Sequence, residues 1–218
     1  MTDRFKYSDQ REAENAARAK AMEALLIEKK VITGETVEKV IDFFQTKMGP
    51  FNGAKVVARA WTDPDFKARL LSNANKAIEE LDFPPVMSGA EGEHMRVVES
   101  TAQTHNLIVC TLCSCYPWPI LGLPPYWFKD PTFRARAARE PRQMLKEMGL
   151  DLGESVEIKV WDSSAQIRWF VLPERPGGTE GMSEDELAEL VTPEAMIGVA
   201  KVSVPGTQKG YDSAAQGF

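Results

Sequence analysis

The sequence predicts an α+β fold, a helical N-terminal arm followed by a mixed α/β layered domain, with divisions at residues 1–83, 84–204 and 205–218. Three observations predict it. Apolar residues recur at helical spacing through much of residues 10–81, and a stretch rich in Pro, Gly and small residues over 84–92 interrupts that pattern. Beyond it short β-rich runs take over, and two of them, 156–162 and 166–172, alternate polar and apolar residues. A chain of 218 residues that is 43% hydrophobic can bury one sizeable core, or one core plus an appended arm.

Taken in order, Ser8 can cap a helix that runs from Gln10 to about residue 30, apolar only near its end at Ala21, Met22, Leu25 and Leu26. Such a helix buries little alone, so it is a solvated face or an arm that lies on another chain. A second helix begins at Thr36, with Val37, Val40, Ile41 and Phe44 as an expected core face, and Gly49-Pro50 ends it. A third covers residues 54–61. Asp63-Pro64, a cap followed by proline at the first helical position, opens a fourth that is expected to reach Leu81. Strands follow at 95–100 and 106–109, the second running directly into a cysteine cluster. Prolines make 121–125 irregular, and Pro131, Pro141 and Gly149 bracket helices over 132–139 and 142–148. The alternating runs 156–162 and 166–172, joined by Ser163-Ser164-Ala165, predict an antiparallel hairpin. Ser183 and Glu186 form a capping box, Thr192-Pro193 starts a short turn, residues 196–204 are expected as a last strand, and the small, polar tail from 205 is expected to be disordered or partner-bound.

The formal charge of −6 argues against a nucleic-acid surface, which needs clustered Lys and Arg. No apolar run approaches the roughly 20 residues that span a bilayer, and the N-terminus carries no secretory pattern, so a cytoplasmic protein with no membrane partner is expected. All three cysteines fall within Cys110-Thr111-Leu112-Cys113-Ser114-Cys115. Three thiols cannot pair completely among themselves, and a reducing compartment disfavours a disulfide framework. A soft metal ion suits them better. Zinc is the alternative, but a structural zinc site closes its tetrahedron with a second Cys or His pair, and the only histidines are the isolated His94 and His105.

The run from Val109 through Cys110, Cys113, Ser114, Cys115, Tyr116, Pro117 and Trp118 to Pro119, continued by Leu121-Gly122-Leu123-Pro124-Pro125, resembles the metal loop of the alpha subunit of nitrile hydratase. The likeness extends from Asn52-Gly53-Ala54-Lys55-Val56-Val57 through Val171-Leu172-Pro173-Glu174-Arg175-Pro176 to Met196-Ile197-Gly198-Val199. It implies that 84–204 is a metal-binding catalytic domain. It also implies a non-corrin Co(III), or alternatively Fe(III), held by the sulfurs of Cys110, Cys113 and Cys115 and by the backbone nitrogens of Ser114 and Cys115, with one position left open. The resemblance further implies that Cys113 is oxidised to sulfinic acid and Cys115 to sulfenic acid while Cys110 stays a thiolate; metal-bound thiolates are the form of cysteine that oxidises. Thr111 and Tyr116 resemble the cobalt-type members more than the iron-type.

In the family Ser114 is a hydrogen-bonding group beside the open position, and Ser114 and Cys115 carry the catalytic roles. Trp118 and Tyr116 would line the substrate pocket, although an aromatic beside proline also serves packing. Asp162 and Arg168 stand where the family places charged residues that support the loop, with a structural ion pair as the alternative. The sequence departs from the pattern at Gln166, where the family often has glutamate, and at Glu91, where it commonly has a glutamine near the cavity. Implied partners are a beta-type subunit in an αβ or α2β2 assembly, small nitriles and a metal-loading activator protein. Arg134, Arg136, Arg139 and Arg142 could pair with oxidised cysteines, but the resemblance assigns that task to the partner. Two other readings stay open. One is a subunit similar to thiocyanate hydrolase, which tends to carry a basic residue where this chain has Trp118; the other is a non-enzymatic zinc or redox module.

Overall fold

The computed structural model describes residues 9–81, 83, 94–112 and 115–205, so the cap expected at Ser8, the boundary at 84–92 and all but the first residue of the tail lie outside the described residues. Among them are ten α-helices and four strands, an α+β fold. α1 (Asp9–Glu28) and α2 (Gly34–Thr46) occupy the stretch expected as an arm. Thr33 caps α2 by accepting a bond from Thr36 N at 3.1 Å. The core expected beneath α2 is absent, because none of its residues is buried and Val40 and Ile41 stay 51% and 49% exposed. Helical periodicity reports an apolar face; it does not report what covers it.

α3 (Pro50–Thr62) starts at Pro50, three or four residues before the sequence suggested, since proline at the first helical position loses no intrahelical bond. Asn52, Gly53, Ala54, Val56, Val57, Ala58 and Ala60 are all buried, which makes α3 the central helix. The fourth helix expected to run to Leu81 is two helices, α4 (Pro64–Ser72) and α5 (Ala74–Glu79). Asn73 divides them. Its carboxamide accepts from Lys76 N at 3.2 Å, giving the backbone a local partner that competes with a continuous helix.

The strands β1 (His94–Glu99), β2 (Thr104–Val109), β3 (Glu157–Asp162) and β4 (Ile167–Leu172) make two parallel pairs, β1 with β4 and β2 with β3. The hairpin expected between β3 and β4 is therefore not formed. The turn between them is real, with Ser164 N donating to Ile167 O at 2.9 Å, but each strand pairs with one far earlier in the chain: His94 faces Ile167, and Val109 faces Asp162. Alternation identifies strands with one covered face and leaves their partners undetermined. β2 is buried along residues 105–109, as befits a parallel strand covered on both faces.

The remaining helices are α6 (Trp118–Leu121), α7 (Pro131–Arg139), α8 (Pro141–Glu147), α9 (Glu184–Leu190) and α10 (Pro193–Ile197), with a 3-10 turn at Tyr126–Lys129. The expected capping box is present, Ser183 N donating to Glu186 at 2.8 Å while Glu186 N returns a bond to Ser183 Oγ at 3.3 Å. The last strand expected over 196–204 is not formed. Thr192 caps α10 and Pro193 opens it, so Met196 and Ile197 are helical, and Gly198 turns the chain at a φ of +93°. A Cβ at Gly198 would fall 2.0 Å from Asn106 O, so only glycine lets this segment cross β2. One hydrophobic core contains Val56, Phe66 and Leu70 from α3 and α4, Leu107 to Val109 from β2, Phe170 to Leu172 from β4, and Met196 to Val199. Among the described residues no helix is long and apolar enough to cross a membrane.

Candidate metal centre

β2 ends by carrying Cys110 into the core, where the residue is fully buried. The parallel register sets Asp162, the last residue of β3, beside Val109, so its carboxylate reaches around the strand end to the next turn. Oδ1 accepts from Thr111 N at 2.9 Å and Oδ2 from the Thr111 hydroxyl at 2.5 Å. On the other side Arg134 of α7 donates to Thr111 O at 3.5 Å. Thr111 is thus held through its amide, its hydroxyl and its carbonyl at the entry to the cysteine cluster. Trp169 Nε1 donates to Asp162 O at 3.1 Å, and the Trp169 ring lies 4.5 Å from that of Trp161, bracing the end of β3.

Cys113, Ser114 and Glu91 lie outside the described residues. Cys115 is half-buried, and the Tyr116 ring packs edge-on to Phe128 at 5.0 Å within a cluster that includes Trp127 and Phe133. Tyr116 points into the core. Its hydroxyl meets no hydrogen-bond partner among the described residues, and burial, reinforced by the negative charge of Glu194, pushes the phenol above its ordinary range. Trp118 opens α6 and is 44% exposed, while the neighbouring Leu112 is 87% exposed, so the cysteine loop is bordered by apolar surface. Arg168 donates to Ser164 O, and Gln166 O accepts from His94 N at 2.7 Å, closing the start of the β1 and β4 pair.

The other candidate donors are accounted for by the fold. His105 is buried, its Nε2 donates to Gly198 O at 2.7 Å, and burial holds its pKa below the usual value, so the neutral ring staples β2 to the chain after α10. His94 is exposed at the start of β1. Among the described residues no group of three His, Cys, Asp or Glu side chains could hold an ion. Arg136 pairs with Glu140 and with Glu147 at 2.6 Å, and Arg142 caps the carbonyls of Leu152, Gly153 and Val156, so of these three arginines Arg134 is the one seen reaching the loop. A cavity of about 350 Å3 lies elsewhere, between Ser100, His105, Glu174, Arg175 and Lys201, with Lys201 on Glu174 at 3.4 Å; no cysteine lines it.

This donor chemistry fits a soft transition-metal ion better than zinc. Sulfur enters from one short loop, and the buried histidine that could have completed a tetrahedral site is engaged with a backbone carbonyl. The bonds to Thr111, and the buried amide of Asn52, which donates to Pro119 O at 3.1 Å behind Trp118, were beyond sequence reasoning. A lone polar residue on the Ala- and Val-rich face of α3 was the available signal for Asn52.

The family model of the nitrile hydratase alpha chain matches residues 13–200. A cobalt-containing nitrile hydratase subunit alpha from Pseudonocardia thermophila is 52% identical over 195 residues, covering 89% of this chain and 94% of that protein. The thiocyanate hydrolase subunit gamma of Thiobacillus thioparus is 42% identical over 193 residues, covering 85% of this chain and 79% of that protein. Among solved structures, a variant of the Fe-type nitrile hydratase from Comamonas testosteroni Ni1 superimposes with a TM-score of 0.78 at 43% identity, over 94% of this chain and 98% of that one. A cysteine cluster mounted on a buried strand end and matched along nearly the whole chain leads to one conclusion: the chain belongs to the nitrile hydratase alpha-chain family.

Proposed function

We propose that this chain is the metal-bearing subunit of an enzyme that hydrates nitriles to amides, with Co(III) held by the sulfurs of Cys110, Cys113 and Cys115 and the backbone nitrogens of Ser114 and Cys115. The observation that carries the reading is the mounting of the loop: Cys110 is fully buried at the end of β2, and Thr111 is bonded to Asp162 at 2.9 and 2.5 Å. When bound, the ion supplies Lewis acidity at one open position, polarising a nitrile or acidifying water. The chain's own residues do the rest. In this reading Cys110 would bind as a thiolate, Cys115 as a sulfenate and Cys113 as a sulfinate. Ser114 would be a hydrogen-bonding group beside the open position, and an ionised Glu91 near the cavity would orient the attacking water, the alternative being a loop glutamate beside Glu93 with no catalytic part. Trp118 walls the substrate cavity with apolar surface, and Tyr116 supports the loop from the core side.

An exposed indole suits a neutral nitrile better than an anion, which favours nitriles over thiocyanate. Cobalt is preferred on the likeness of Thr111 and Tyr116 to cobalt-type members and on the cobalt-containing relative. The test is co-expression with a beta-type partner in medium that holds both metals, followed by elemental analysis and assays with nitriles and thiocyanate. Stoichiometric cobalt and amide formation are expected. Stoichiometric iron would overturn the metal assignment, and faster turnover of thiocyanate than of any nitrile would overturn the substrate.

Asp162 should matter without touching the ion. Asp162→Ala releases both bonds to Thr111 at once, so turnover or metal retention should fall about 10- to 100-fold, the usual cost of losing a group that orients a metal loop. The melting temperature should hardly move, because the carboxylate is solvent-exposed. Unchanged turnover and metal content would reduce Asp162 to a surface cap of Thr111.

A further inference from the structure

Trp118 is carried on a seat that the arm and α3 build together. Asn52 Nδ2 donates to Lys47 O at 2.9 Å and to Pro119 O at 3.1 Å, so one buried amide ties the junction of α2 and α3 to α6. Two glycines allow the approach: a Cβ on Gly53 would lie 2.5 Å from Ile120 O, and one on Gly122, at a φ of +71°, would lie 2.9 Å from Pro50 Cδ. From this junction α2 presents Phe44 to the indole, with ring centroids 6.4 Å apart and planes inclined by 64°, and Phe43 meets Phe44 edge-on at 6.0 Å. In the single chain Trp118 is nearly half exposed, so core packing does not enclose its ring, and Phe44 is the aromatic neighbour that meets the indole from α2.

We infer that Phe44 is a positioning residue that sets which nitriles the enzyme accepts, acting through the orientation of Trp118; this rests on the reading that Trp118 walls the substrate cavity. An aromatic pair of this kind is worth about a 3- to 10-fold shift in an equilibrium. Without the Phe44 edge the indole samples more rotamers and the wall against a planar aromatic nitrile loses definition. A small aliphatic nitrile, which does not need that wall, is little affected.

The holoenzyme, co-expressed with its partner, is compared with Phe44→Ala, Phe44→Leu and Phe44→Tyr on benzonitrile and acetonitrile. Phe44→Leu keeps apolar bulk on α2 and guards against loss of assembly in the alanine variant. Both ring-deleting variants should raise KM for benzonitrile about 3- to 10-fold while kcat for acetonitrile and metal content stay near wild type, and Phe44→Tyr should restore the wild-type ratio. A second readout needs no turnover: with 5-fluorotryptophan incorporated, the resonance missing in Trp118→Phe identifies Trp118, and it should shift in Phe44→Leu but not in Phe44→Tyr. An unmoved resonance overturns the positioning contact. Equal losses on both nitriles, or an unchanged ratio, overturn the role in selectivity. A wild-type enzyme that hydrates no nitrile overturns the function proposed above and the selectivity with it, while the fluorine spectrum still decides the contact.

Discussion

Serine at Cys110, Cys113 or Cys115 is expected to abolish both nitrile hydration and metal retention. Each replacement removes one thiolate, the donor that a soft ion prefers, and a serine hydroxyl with a far higher pKa does not take its place. If Cys113 and Cys115 carry the proposed sulfinic and sulfenic groups, the change there also deletes an oxygenated sulfur. The loss should exceed the roughly 10- to 100-fold typical of groups that only orient a ligand. The three positions should differ in stability. Cys110 is fully buried among apolar residues of the core, so a hydroxyl there costs about 1–3 kcal/mol when it lacks a partner. Cys115 is half-buried and its replacement should leave the melting temperature of the metal-free protein near wild type. Elemental analysis, amide assay and thermal denaturation of each variant check this together. Stoichiometric cobalt and full turnover in any of the three would show that the sulfurs do not hold the ion.

The parts of the fold that could be read from the sequence are those governed by local chemistry. Pro64, Pro131 and Pro141 each open a helix because proline at the first helical position loses no bond, and the reciprocal Ser183 and Glu186 bonds form as the spacing suggests. What could not be read depends on distant pairing. β3 and β4 alternate as hairpin strands do and are joined by a real turn, yet their partners are β2 and β1, and nothing local to 156–172 encodes that choice. The same register delivers Asp162 to Thr111, so the hydrogen bonds that steady the cysteine loop were invisible until the strands were paired. The strand expected over 196–204 failed for a different reason. Met196, Ile197 and Val199 are apolar because they are buried, and a short helix capped by Thr192, followed by the turn at Gly198, buries them as well as a strand would. The cysteine loop itself stood out from spacing alone, because three thiols in six residues have few chemical uses.

The chain alone is expected to be inactive and poorly soluble, and to gain turnover only with a beta-type partner. The arm is the reason. α2 has no buried residue, and Met22, Leu25, Val31, Val40 and Ile41 expose large apolar side chains along α1, α2 and their link, a patch of a kind that single soluble chains rarely leave uncovered. Fully burying a Leu, Ile, Val or Met side chain stabilises by about 1.5–3 kcal/mol, so covering these half-exposed residues offers roughly half that each. A second apolar border surrounds the cysteine loop at Leu112, Trp118 and Leu123, and oxidised cysteines there would present anionic oxygens that need donors once water is excluded. Among the described residues Arg134 reaches the loop, bonded at Thr111 O, and a partner that covers the loop is expected to supply further donors. One protein covering arm and loop would satisfy both demands. Sizing by light scattering and amide assays should show aggregation and no turnover for the single chain, and a stable active complex on co-expression. Val40→Asp with Ile41→Asp should weaken that complex by placing two carboxylates on the face to be buried. A monodisperse single chain with full turnover would refute the requirement for a partner.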